Sequence, residues 1–163
     1  MSEANGKVIL SLDASSTAIG WCAAQGERYL NSGVQNFTGE RDVRIRETVF
    51  WVRGMLLNYD PDRVAIEEPT GSHQNLQTDR LLARVAGAIE GLCIISEVPV
   101  TYVHAMKVKA TRFHKGTTLM TARFVGKPIV GPDEADAVGV WQAALGIFQG
   151  YRIMKETPQE EVQ

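Results

Sequence analysis

The sequence predicts an α/β domain: a mixed five-stranded sheet with helices on both faces. Three observations carry that prediction. The segments run strand, strand, strand, helix, strand, helix, strand, helix. The first and fourth strands both close on acids. The chain has 163 residues, enough for one domain and not comfortably for two. At that size roughly 68–70% of the unfolded surface is buried, so no disulfide or structural metal is needed.

Each element has its own signal. Val8 to Asp13 is a short apolar run ending on an acid and the small-residue turn Ala14-Ser15-Ser16. Ala18 to Ala24 and Arg28 to Phe37 follow, separated by Gln25-Gly26-Glu27, which implies an antiparallel three-strand meander. Arg41 to Asn58 switches to helical spacing, with Ile45, Val49, Val52 and Leu56 on one face. Pro61 punctuates, and Arg63 to Glu68 is the fourth strand. Gln74 to Ser96 is a long helix carrying Leu81, Leu82, Val85, Ile89 and Leu92, and Pro99 to Val103 is the fifth strand. Met106 to Gly126 reads as short, basic and turn-rich. Pro132 and Asp133 open a last helix that runs to about Gly150. Residues 1–150 thus form the domain, and 151–163 read as a polar, flexible tail. Right-handed crossovers put helices on both faces. In such sheets, functional groups gather where the parallel strands end.

Composition narrows the class. At 44% apolar and 22% charged, the chain is neither collagenous nor disordered. No stretch approaches the 18–20 apolar residues of a membrane span, and the first six residues lack the pattern of a signal peptide. Cys22 and Cys93 lie singly in apolar segments, as reduced buried thiols of a cytoplasmic protein do. Seventeen Lys and Arg against nineteen Asp and Glu give −2, which at face value argues against a nucleic-acid partner.

The distribution of the acids reverses that argument. Asp13 and Glu67 end parallel strands, and Asp133 and Asp136 are three apart at the start of the last helix, on one face. Four converging carboxylates repel unless cations neutralise them, and their hard oxygens suit Mg²⁺ or Mn²⁺. Two such ions ~3.5–4 Å apart support in-line phosphodiester displacement. The same acids also fit a helix N-cap (Asp133) and a dipole-favoured first-turn acid (Asp136), and spacing alone leaves both readings open. Setting the four aside leaves seventeen cations against fifteen acids, or +2. Between Glu97 and Asp133 there is no acid, and six cations: Lys107, Lys109, Arg112, Lys115, Arg123 and Lys127. With Phe113 and His114 these form a candidate phosphate track. On the long helix, Ala83, Gly87 and Gly91 recur every four residues. They either pack tightly on a neighbouring helix of the domain or let a second copy approach.

The segments Leu12-Asp13-Ala14-Ser15-Ser16-Thr17-Ala18-Ile19-Gly20, Ala65-Ile66-Glu67-Glu68, Val108-Lys109 and Asp133-Glu134-Ala135-Asp136-Ala137 resemble the RuvC Holliday junction resolvases. The resemblance spans Val8 to Leu145 and implies the ribonuclease H-like fold. It implies a homodimeric endonuclease that makes paired nicks in four-way and other branched DNA, leaving 5′-phosphate and 3′-hydroxyl ends. Asp13, Glu67, Asp133 and Asp136 would hold two Mg²⁺ ions, with Mn²⁺ as a substitute, and Lys109 would act on the phosphate. Glu67 rather than Glu68 is the matched acid, and strand neighbours point to opposite faces. The two-fold reading of Ala83, Gly87 and Gly91 follows the same resemblance. The family's Asp-Pro-Gly-Ser turn is Asp13-Ala14-Ser15-Ser16 here. Its aromatic falls at Thr70 and its second lysine at Met120, departures that resemble phage-encoded members. Two other readings stand beside it: a branched-DNA-binding protein that does not cut, and a truncated actin- or sugar-kinase-like ATPase sharing the first strand–turn–strand. The resolvase reading needs no nucleotide cofactor and no membrane.

Overall fold

Alternation along the first strand sorts the two faces of the sheet. In β1 (Val8–Ala14), Leu10 and Leu12 join the core on one side, while Ile9 joins the core on the other. The computed structural model describes residues 6–69, 75–111 and 118–156. β2 (Ala18–Gln25) pairs antiparallel with β1, and β3 (Arg28–Asn36) antiparallel with β2. Gly26 takes a φ of 56° in the two-residue turn joining β2 to β3. In α1 (Arg41–Tyr59), Val52 and Leu56 are buried as expected, with Met55 and Thr48 beside them. Asp60 ends α1 in a left-handed conformation, its N–H donating to Leu56 O at 3.0 Å. β4 (Arg63–Glu67) then returns parallel to β1. After α2 (Leu76–Ile95), whose first turn is capped by the Asn75 side chain accepting from Gln77 N–H, β5 (Val100–Val103) adds parallel to β4. The sheet order is β3-β2-β1-β4-β5.

Two cores result, one per face. Leu10, Leu12, Val64 and Ile66 pack with Val52, Met55 and Leu56 of α1 and Leu81, Val85 and Ile89 of α2. On the opposite face Ile9, Cys22, Ala24 and Ala65 pack against α5 (Pro132–Glu156). The mixed sheet with helices on both faces is therefore as the sequence predicts. The basic stretch is not simply turns. It contains α3 (Ala105–Ala110) and α4 (Thr118–Val125). His104 nucleates α3 by accepting from Met106 N–H through Nδ1, and Val108 anchors it in the α5 core.

The first half of α5 is buried almost all round. Ala135, Ala137, Val138, Val140, Trp141 and Ala144 are each fully covered, and the small residues let the helix lie low across β1 and β2. Ser11 points to this face, its Oγ donating to Ala137 O at 2.8 Å. The Trp141 indole N–H donates to Gly26 O at 3.1 Å, tying α5 to the β2–β3 turn. Both cysteines are free and buried. Burial pushes the Cys22 thiol far up and that of Cys93 to about 11, as befits inert core groups. Among the described residues no helix is long and apolar enough to cross a membrane.

Trp141→Ala is expected to destabilise the fold by about 3–5 kcal/mol, and Trp141→Phe by about 1–2 kcal/mol, measured by urea unfolding. A cost below about 1 kcal/mol for the alanine variant would mean that α5 is not docked on this face.

Candidate active site

Parallel strands end on the same edge, and the register of β1 and β4 decides which residues meet there. Leu12 pairs with Ile66, so one step on Asp13 lies beside Glu67. Both point to the α5 face, because Ser11 and Ala65, two residues earlier on each strand, do so. Asp13 also pairs across β2 with Gly20. Over Gly20 passes the first turn of α5: a Cβ there would stand 1.9 Å from Asp133 O and 2.3 Å from its carbonyl carbon. No residue but glycine lets the helix start so close to the strand. Asp136 follows Asp133 one turn on. The helix starts at Pro132, so Asp133 lies inside the first turn and is not the N-cap.

The backbone therefore brings Asp13, Glu67, Asp133 and Asp136 to one edge of the sheet, all four half-buried, while Glu68 is exposed. Their side chains are not gathered into a cage. Among the described residues no three His, Cys, Asp or Glu groups stand close enough to hold a metal ion. Asp13, Glu67 and Asp136 each have an interaction partner of their own. Like charges repel steeply at short range, so closing this set needs a cation. As donors, four carboxylates fit a hard divalent ion and suit neither zinc nor copper.

What holds the first turn of α5 in place is a buried charge that the sequence pattern does not mark out. Glu134 is completely buried. Its Oε1 accepts from Ser32 Oγ at 2.5 Å and pairs with Lys127 Nζ at 3.0 Å, and its Oε2 accepts from Val130 N–H at 2.7 Å. Lys127 also donates to Ser32 O at 2.5 Å, and Tyr29 OH stands 2.9 Å from Ser32 Oγ. Burial alone would raise the Glu134 carboxyl. The hydrogen bonds from Ser32, Val130 and Lys127 outweigh it and hold the group below its ordinary value of 4.5. Burial likewise disfavours the Lys127 ammonium, but Glu134 and Tyr29 raise it above its ordinary value. Lys127, expected on the DNA track, is thus turned inward as the counter-charge of Glu134. The available signal was an acid set between Asp133 and Ala135 at the head of an otherwise apolar helix.

The other expected contacts divide. Lys107 and Lys109 are exposed on α3, and Arg123 is exposed on α4. Arg112, Phe113, His114 and Lys115 lie outside the described residues, as does Thr70. On α2, Ala83 and Gly87 are exposed and Gly91 is half-buried. Among the described residues, a Cβ at Gly87 or Gly91 would meet nothing within 4 Å, so no neighbouring helix closes on those two positions.

A five-stranded sheet in this order, with acids at the ends of its two central parallel strands and at the head of the last helix, is a ribonuclease H-like fold. Holliday junction resolvases are among its structural neighbours. Thermus thermophilus RuvC in complex with a Holliday junction substrate matches with a TM-score of 0.74 at 20% identity, covering 88% of this chain and 96% of that one. A second Thermus thermophilus RuvC structure gives 0.70 at 21% identity with the same coverage. The yeast mitochondrial Holliday junction resolvase Ydc2 gives 0.63 at 10% identity, over 92% of this chain and 83% of that one. No family model matches the sequence, and no curated protein matches it.

Two outcomes test this geometry. Gly20→Ala should destabilise the fold by about 1–3 kcal/mol in denaturant titrations, since the methyl must displace Asp133. Lys127→Met should cost about 2–3 kcal/mol, less than for a fully buried pair because a third of the lysine side chain is exposed, and adding Glu134→Gln should restore most of it. The lowered Glu134 value sets the pH sign. Its stabilisation is fully present above about pH 4.5 and is lost as pH falls through the depressed value. Melting temperatures in acid should therefore fall more steeply for the parent than for Glu134→Gln.

Proposed function

We propose that the protein is a metal-dependent endonuclease that makes paired nicks in Holliday junctions and in other branched DNA. The observation that carries this reading is the meeting of four acids on one sheet edge in a fold shared with RuvC. Asp13 and Glu67 on the sheet and Asp133 and Asp136 on α5 are the residues that would hold two Mg²⁺ ions, with Mn²⁺ able to substitute. Divalent ions held there would supply Lewis-acid stabilisation of the charge that develops during phosphodiester hydrolysis. The protein's own groups do the rest. Lys109, exposed on α3, donates to the phosphate oxygens as negative charge builds on them. Lys107 and Arg123 extend the contact along the backbone, together with Arg112, Phe113, His114 and Lys115 in the segment between α3 and α4. Lys127 has no part in that track.

Paired nicks need two sites, and a junction is roughly two-fold symmetric. A homodimer meeting on Ala83, Gly87 and Gly91 of α2 suits both, and the open space over Gly87 and Gly91 supports it. The products carry 5′-phosphate and 3′-hydroxyl ends. The setting is the cytoplasm of a bacterial or phage-infected cell, with residues 1–150 as the nuclease domain and 151–163 as its tail, although α5 runs past that boundary to Glu156.

An end-labelled four-way junction and a cruciform plasmid incubated with Mg²⁺ test the reading. The parent should nick both, and chelation should stop it. Asp13→Asn and Asp136→Asn should abolish nicking while junction binding persists, and Lys109→Ala should slow it by about 10²-fold. Junction binding without nicking by the parent would favour a silent branched-DNA binder, and ATP hydrolysis would favour the kinase-like alternative.

A further inference from the structure

The sheet edge that carries the acids has a second basic feature on its other side. Between the N-terminal ends of α1 and α2 lies a cleft of about 750 Å³ whose walls carry Arg41, Arg44, Arg80 and Arg84. Glu40 and Asp42 are the acids among its lining residues, so the cleft is cationic. Arg41 is neutralised by Asp42 at 2.6 Å. Among the described residues Arg44, Arg80 and Arg84 have no acid within ion-pair distance, although Asp42 also acts on Arg84 electrostatically across the cleft. Arg44 donates from one terminal nitrogen to Ser16 O at 2.6 Å, while its Nε is buried with no hydrogen-bond partner among the described residues. Arg80 and Arg84 are four apart on α2 and exposed, so both rise from one face of the helix.

Three features of this cleft select its ligand. Guanidinium forks bind phosphate oxygens two at a time, which a lysine cannot do. A buried, unpaired N–H is costly until an acceptor reaches it. Third, Ser16 lies in the turn after β1, three residues beyond Asp13, and that turn is shared by the cleft and the acid edge. A nucleic-acid strand leaving the acids over this turn runs into the arginines.

We propose that the cleft is a second DNA-backbone site, where Arg44, Arg80 and Arg84 grip phosphates of the strand that continues past the acid edge. The inference rests on the nuclease reading for the identity of the polymer. It adds a grip on the α1–α2 side, where the sequence pointed only to the segment between Glu97 and Asp133.

The test uses Arg80→Ala/Arg84→Ala, both exposed, because Arg44 braces a turn and replacing it would disturb the fold as well as the cleft. Binding of a fluorescent four-way junction is titrated in EDTA, so no cleavage step enters, and repeated across salt concentrations. The double variant should keep the parent's melting temperature, bind the junction about tenfold more weakly, and show a salt slope shallower by about 2, one unit for each arginine that no longer meets a phosphate. Unchanged affinity and slope would overturn the proposal. So would saturable binding of inorganic phosphate or ADP that depends on the two arginines while junction affinity does not, since the cleft would then be a small-anion site. Failure of the nuclease reading shows separately, as a parent that binds the junction with its arginines yet leaves it uncut when Mg²⁺ is added.

Discussion

A helix backbone can rest directly on a strand only where the strand carries no side chain. Gly20 provides that point, and the carbonyl of Asp133 occupies the space a Cβ would take. From this one approach follow the height of α5 above the sheet, the nearness of Asp133 to Asp13, and the placing of Asp136 a turn later. The burial of Ala135, Ala137 and Val138 completes the seat. Small residues there are a geometric requirement as much as an apolar one, since a larger side chain would lift the helix off the strand.

The buried Glu134 complements that seat. An isolated carboxylate in a protein interior is strongly unfavourable, and this one is tolerated because hydrogen-bond donors and a cation surround it. The pair links the start of α5 to β3 through Ser32 and to the loop after α4 through Lys127 and Val130. Three separate parts of the chain are thereby held in one arrangement beside the sheet edge that carries Asp13 and Glu67. An apolar side chain could fill the same volume, but it could not fix direction, because packing forces are not directional and hydrogen bonds are.

Much of this is legible in the residues themselves. The alternation of Val8 to Asp13 and the apolar run ending at Glu67 mark strands whose ends have to share an edge. The head of the last helix is marked by Pro132. What stays hidden depends on contacts distant in sequence or on charge in unexpected places. Gly20 and Asp133 are 113 positions apart, and nothing local to Gly20 announces a helix above it. Glu134 reads as one more first-turn acid until its burial is seen. Lys127 groups naturally with its basic neighbours, although its partner is seven residues on. α3 and α4, at six and eight residues, are too short for periodicity to stand out. The arginine cleft has no linear signature, because its cations come from two helices, with Asp42 between those of α1 and Asp79 just before those of α2.

The place of α5 in the chain also bears on synthesis. Asp13 and Glu67 leave the ribosome well before Asp133, and at typical elongation rates the 66 residues from Glu68 to Asp133 take roughly 3–13 s. Through that interval Ile9, Cys22, Ala24 and Ala65 have no helix over them, and the nascent sheet presents an apolar face that a chaperone or a neighbouring chain can meet. A product stopped short of Asp136 carries an incomplete set of acids, and one stopped just after it still lacks Ala137, Val138, Val140 and Trp141, which cover that face.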